Sequence, residues 1–171
     1  MDGIVLINKE KNCTSRDVVN QVSKILKTKK IGHTGTLDPI ATGVLVLCIG
    51  KATKLVEVIT SYDKEYEAEV ILGIKTDTKD ITGKILKKEK AIISKENIEE
   101  CLKKMIGTYN QTVPIYSAVK INGKKLYEYA RNNEEIELPK RKVTIKELKL
   151  ISDITYEKEK LQMKKCIFYY C

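Results

Sequence analysis

The 171 residues are 42% hydrophobic and 32% charged, which supplies a buried core and excludes a disordered chain. Lysine and arginine outnumber aspartate and glutamate by 32 to 23, a formal +9 that favours a polyanionic partner through counterion release. Five cysteines without a Cys-x-x-Cys pair, beside a single histidine, argue against a structural zinc site, and no apolar segment approaches the roughly 18 residues of a membrane span. Nothing at the N-terminus reads as a signal peptide, so a cytoplasmic protein with reduced thiols is expected, Cys48 and Cys101 on apolar faces. Arginine occurs only as Arg16, Arg131 and Arg141, which makes backbone and shape recognition a better expectation than bidentate reading of bases.

In chain order, Gly3 to Lys9 is a short apolar run that predicts a strand, and Lys11-Asn12 predicts a turn. Thr14 or Ser15 then caps a helix with Asp17 in its first turn. Its inward face carries Val18, Val22 and Ile25 with Val19 and Leu26, and it ends between Lys27 and Lys30. The next stretch is Gly32-His33-Thr34-Gly35-Thr36-Leu37-Asp38-Pro39-Ile40-Ala41-Thr42-Gly43. Its three glycines permit positive φ or close approach of another molecule, and Pro39 biases Asp38 toward an extended backbone. Val44 to Ile49 reads as a buried strand leaving that loop, so the Asp38 carboxylate is expected at the lip of the core. A carboxylate can act as a nucleophile without a helper base. Taken alone the loop is equally an ordinary Asp-Pro turn. It lacks the Gly-Lys-Ser/Thr ending of a phosphate loop and the Gly-x-Gly-x-x-Gly of a dinucleotide site. Gly32-His33-Thr34-Gly35 also has the form of a KH-module loop, a weak signal by itself.

Read whole, Gly-His-Thr-Gly-Thr-Leu-Asp-Pro followed by Ala-Thr-Gly resembles the catalytic motif of the tRNA pseudouridine synthase B family, and the match continues through Gly50-Lys51-Ala52-Thr53-Lys54. The resemblance implies isomerisation of uridine to pseudouridine in the TΨC arm of tRNA, with Asp38 as the catalytic carboxylate and His33 in contact with the RNA near a flipped nucleotide. It implies no metal and no cofactor, since the isomerisation adds neither electrons nor atoms. Lys9, Thr14 and Ser15 match the family's opening; Glu10 departs from it, and Asn12 stands where the family usually has glycine.

Ala52 to Thr60 predicts a short helix with Leu55, Val56 and Ile59 inward. Tyr62 to Gly73 alternates as a strand, with Tyr66, Ala68, Val70 and Leu72 on one side and Glu65, Glu67 and Glu69 on the other. Lys64-Glu65-Tyr66 fits the family's Lys-x-Tyr, which makes Tyr66 the ring that stacks on the target base. Thr76 to Gly83 is a polar loop whose spacing fails the EF-hand pattern, and Lys84 to Lys90 holds a strand fragment. Ser94 caps a helix with Ile98, Cys101, Leu102, Met105 and Ile106 inward, ending at Gly107. Asn122-Gly123 marks a turn and Leu126 to Arg131 a short helix. Residues 111–142 correspond to the family's thumb-like insertion over the RNA arm. Lys9, Lys120, Lys124, Lys125, Tyr127 and Arg131 are therefore expected RNA contacts, basic charge interleaved with rings. Lys142 to Ile154 and Leu161 to Cys171 predict the last strands.

The expected fold is α+β, a mixed, mainly antiparallel sheet flanked by helices. By this resemblance the whole chain, 1–171, is a partial catalytic domain, roughly the first half of the family's usual protein. The family continues into a Lys-Gly-Thr-Tyr-Ile-Arg segment, further core elements and a small C-terminal RNA-binding domain, none of which lies in these residues. That segment carries an Arg that pairs with the catalytic Asp, so an inactive, monomeric fragment is expected. The alternative is a noncatalytic tRNA-binding or tRNA-folding module. A glycosidase-like hydrolase needs a second carboxylate, and the Asp38 motif offers none.

Overall fold

The apolar run Ile4 to Ile7 makes Gly3–Lys9 a strand, β1, and the run closed by Gly50 makes Gly43–Ile49 another, β3. The computed structural model describes the chain apart from residues 118, 153, 158, 159 and 171, and describes the backbone alone for 155–157 and 160–170. The chain divides into two compact units, residues 1–62 and 63–171.

In the first unit, β3 lies between β1 and the short β2 (Ile31–His33), both antiparallel to it. Helix α1 (Ser15–Ile25) is opened by a reciprocal cap: the Asp17 amide donates to Thr14 Oγ1 at 3.1 Å and the Thr14 amide to Asp17 Oδ2 at 2.9 Å. The Thr14 hydroxyl bond holds the Asp17 carboxyl below its ordinary range. Val18 and Val19 of α1 pack on Leu45 and Leu47, with Ile7, Cys13, Val22 and Ile31 at the margin. Asn12 has φ of +67°, the left-handed turn conformation that asparagine tolerates best after glycine, which explains how it stands in the family's glycine position. Residues Gly50–Leu55 wind as a 3₁₀ turn before helix α2 (Val56–Thr60). The tighter winding takes Leu55 off the inward stripe expected of a regular helix: it is exposed, and Val56 and Ile59 are half-buried.

In the second unit, strand β12 (Lys160–Tyr170) is paired by β4 (Lys64–Leu72), by β10 (Lys140–Leu150) and by β11 (Ile154–Glu157). β7 (Gly107–Thr112) continues the sheet beyond β10. Small hairpins form from β5 (Ile74–Thr76) with β6 (Ile85–Lys88) and from β8 (Lys120–Ile121) with β9 (Lys124–Lys125). Helices α3 (Lys95–Lys104) and α4 (Leu126–Arg131) complete it. The core joins Ile98 and Leu102 of α3 to Ile145 and Leu148 of β10, with Val70 and Leu72 beside them. Cys101, Met105 and Ile106 are exposed, contrary to the helical pattern, because α3 ends at Lys104 and buries only the narrow stripe of Ile98 and Leu102. The side chain of Cys166, and Cys171, lie outside the described residues. Every described strand pair is antiparallel, and the fold is α+β. No described helix is long and apolar enough to cross a membrane.

Candidate active site

The loop carrying Asp38 is held at its backbone on both sides of that residue. Thr14 serves as the cap of α1, which leaves the neighbouring Ser15 hydroxyl for another task. Buried Ser15 Oγ accepts from the Leu37 amide at 3.0 Å and donates to the Leu37 carbonyl at 3.2 Å, standing in for a strand neighbour. On the far side, the Asn12 amide donates to the Pro39 carbonyl at 2.8 Å. The Ala41 amide closes the turn on the Asp38 carbonyl at 3.0 Å.

Lys9 reinforces the same bracket. Its side chain is 0% exposed, and its ammonium donates to the carbonyls of Cys13 at 2.8 Å, Glu10 at 2.9 Å and, at the long limit of 3.5 Å, Pro39. This corrects the expectation that Lys9 meets RNA. A buried ammonium must replace its water with oxygen acceptors, and all three of its protons are directed at backbone carbonyls.

The Asp38 side chain is exposed, and no described residue gives it a hydrogen bond or an ion pair. The expectation of a carboxylate at the lip of the core holds for the loop's position before β3, but the first unit does not enclose the group. His33 lies half-buried at the end of β2, with Nδ1 2.8 Å from the Gly35 carbonyl. A carbonyl only accepts, so Nδ1 is the donor of this bond and Nε2 is left for another partner.

The other expected residues belong to the second unit. Tyr66 is 43% exposed on β4. Asn122 and Gly123, with φ of +51° and +80°, form the tight turn between β8 and β9. Fully buried Leu126 anchors α4 behind them. The Tyr127 ring has Lys125 Nζ 5.3 Å and Arg131 Cζ 5.2 Å from its centre. Lys124 is differently employed: its ammonium lies 2.5 and 2.7 Å from the two Glu134 oxygens and 4.6 Å from the Tyr129 ring centre. That bond holds the Glu134 carboxyl below its usual range. Lys120 and Arg131 are exposed. An open groove beside this region is lined by Ile115, Glu134, Glu135, Ile136, Glu137 and Leu138; the carboxylates of Glu135 and Glu137, beside the Lys124-paired Glu134, repel a polyanion there.

Sequence reasoning placed Ser15 as an alternative helix cap and Asn12 in a turn, and missed their work on the Asp38 backbone. The available signal was the doubled Thr14-Ser15, of which one hydroxyl is enough for a helix cap. Among the described residues no group of His, Cys, Asp and Glu could hold a metal ion.

Residues 23–165 match the model of the TruB family pseudouridylate synthase N-terminal domain. A tRNA pseudouridine synthase B of Fusobacterium nucleatum is 50% identical over 164 residues, covering 96% of this chain and 57% of that protein. Its counterpart in Bacillus licheniformis is 46% identical over 165 residues, covering 95% and 53%. The chain therefore spans about half the length of the curated relatives it matches. Among solved structures, a Cbf5-Nop10-Gar1 complex aligns with TM-score 0.66 at 23% identity, over 98% of this chain and 39% of that one. An H/ACA RNP bound to a substrate RNA containing 2′-deoxyuridine aligns with TM-score 0.62 at 20% identity, over 98% and 37%. At that identity the likeness is one of fold.

Proposed function

Because the chain belongs to the TruB family of pseudouridylate synthases, we propose that it is the aspartate-bearing half of an enzyme that isomerises uridine to pseudouridine in the TΨC arm of tRNA. The observation that carries this reading is the contrast within the Asp38 loop: the backbone is fastened by Ser15, Asn12 and Lys9, while the carboxylate between those fastenings has no partner among the described residues. A group fixed in place and left unbonded suits chemistry on an incoming substrate better than it suits structure.

The reaction breaks the bond from C1′ to N1, rotates the uracil and joins C1′ to C5. Asp38 supplies the carboxylate at the junction of sugar and base. The nucleotide has to leave its stack, at a cost of a few kcal/mol. Stacking on Tyr66 returns about 1–3 kcal/mol of that. His33 contacts the substrate through Nε2. In the second unit, Lys120, Lys125, Tyr127 and Arg131 meet the RNA arm, and Lys124 supports them through Tyr129 and Glu134.

An exposed carboxylate without a partner among the described residues also leads us to assign little or no turnover to this chain by itself. The test is a chimera in which residues 1–171 replace the matching half of the Fusobacterium nucleatum relative, assayed by tritium release from C5-labelled tRNA. Turnover is expected from the chimera, with loss of essentially all of it in Asp38→Ala and little from the chain alone. A chimera indifferent to Asp38→Ala sinks the catalytic assignment, and robust release by the unassisted chain sinks the fragment reading. The Tyr127 ring between two cations favours a second reading, a noncatalytic tRNA-binding module. It predicts that Asp38→Asn leaves both tRNA affinity and the cellular effect intact.

A further inference from the structure

The loop that carries Asp38 makes its last bond to the sheet at buried Thr34, whose amide donates to the Val46 carbonyl at 3.1 Å, and β3 begins at Gly43. Between those points the two flanks of Asp38 are held unequally. On the C-terminal side the Pro39 carbonyl has two donors, the Asn12 amide and the Lys9 ammonium, and the first is backbone that no side-chain substitution removes. On the N-terminal side the hydrogen bonds to Leu37, among the described residues, come from one side chain. The Ser15 hydroxyl takes the Leu37 amide at 3.0 Å and gives its own proton to the Leu37 carbonyl at 3.2 Å.

We infer that Ser15 is a positioning residue for the reaction proposed above, an inference that rests on that reading: it sets the direction in which Asp38 presents its carboxylate. A hydroxyl bonded to the N–H and the C=O of one residue fixes both peptide planes that meet at its Cα, and the second of these planes carries the Asp38 nitrogen. Two features fit Ser15 for the task. It is 3% exposed, so water does not compete for either bond, and Thr14 caps the helix, so removing the Ser15 hydroxyl costs the loop and not the start of α1. A misplacement of about 1 Å at a reacting group costs about a hundredfold in rate. Ser15 reaches the chemistry only through Leu37. Its loss therefore falls on turnover, while substrate affinity, which His33, Tyr66 and the cations of the second unit supply, stays in place.

The test is steady-state tritium release by the chimera described above. Ser15→Ala should lower kcat by about tenfold to a hundredfold with KM within about twofold, and Ser15→Thr, which keeps the hydroxyl, should recover most of the loss. Val19→Ala, which removes two packed methyl groups elsewhere on α1, should lower the melting temperature at least as far as Ser15→Ala and leave kcat within about twofold. In the 171-residue chain by itself, exchange of the Leu37 amide proton should quicken by about tenfold or more in Ser15→Ala and return to its original rate in Ser15→Thr. Should Ser15→Ala fail to fold, Ser15→Cys, a near-isostere with a weak donor, is expected to show the same split between kcat and KM in smaller measure. A loss confined to KM, a loss shared by Val19→Ala, or a loss that Ser15→Thr does not recover overturns the positioning role. Turnover that collapses in Asp38→Ala but is untouched in Ser15→Ala overturns it too, and leaves the proposed reaction standing. Turnover indifferent to both variants refutes the reaction itself and the positioning role with it.

Discussion

Two polar loops of this chain carry aspartates, and they use them in opposite ways. In residues 76–83, Asp80 Oδ1 accepts from Thr82 Oγ1 at 2.6 Å, from the Thr82 amide at 2.8 Å and from Thr78 Oγ1 at 2.9 Å, and Asp77 Oδ1 takes the amides of Thr78 and Lys84 at 2.8 Å each. That loop holds itself together with its own carboxylates. The Asp38 loop is held from outside, by Ser15, Asn12 and Lys9, and spends none of its carboxylate on the task. Carboxylate oxygens bonded into their own loop are committed to its structure, whereas those of Asp38 accept from no described residue, so the two loops mark the difference between a structural and an available aspartate.

The comparison breaks most visibly at Lys9. Lys9→Ala strips three carbonyls of a buried charged donor and leaves a cavity, which should lower stability by about 3 kcal/mol in urea unfolding. Lys9→Met, which keeps the stem, should recover part of that loss. A cost under about 1 kcal/mol for Lys9→Ala would mean that the loop does not depend on outside support.

The self-fastened loop gives the next largest effect. Asp80→Ala should cost about 1–2 kcal/mol near neutral pH, since three donors lose one ionised acceptor at an exposed site. The Thr82 hydroxyl, with Thr78 and the neighbouring amides, holds the Asp80 carboxyl below its ordinary value of 3.8. A depressed folded-state value contributes stability above the unfolded value, and that contribution is lost as pH falls from about 4 through the folded value. The gap between wild type and Asp80→Ala should therefore narrow below about pH 4. A gap independent of pH would show that the charge is not what fastens the loop.

How much of this was legible in the sequence follows from what each feature depends on. The strands β1 and β3, the cap at Thr14 with Asp17 and the Asn122-Gly123 turn are local, and local patterns fixed them. β7 was not foreseen: Gly-Thr-Tyr-Asn-Gln-Thr has no apolar alternation, and its strand form comes from pairing with β10, where Thr108 and Thr144 hydroxyls meet at 2.9 Å. The burial of Lys9 was equally invisible, because lysine is ordinarily a surface residue and only the fold brings Cys13 and Pro39 to its ammonium. Of the candidate site, the motif located the Asp38 loop and its neighbours. The carboxylate's exposure could not be read there, since enclosure depends on what else stands against the loop.

The smallest expected effect on stability is the most discriminating. Asp38→Asn keeps the side chain's size and removes only its charge, and no described residue bonds that charge, so unfolding should change by less than about 0.5 kcal/mol, the ordinary range of a surface substitution. Turnover of the chimera should nevertheless collapse, because an amide cannot provide the nucleophilic or proton-accepting oxygen of a carboxylate. A loss of more than about 1 kcal/mol in the isolated chain would instead place Asp38 with Asp77 and Asp80, as a fastener of its own loop. Stability kept and chemistry lost, in one variant, is the outcome that separates an aspartate held for a substrate from one that holds the fold.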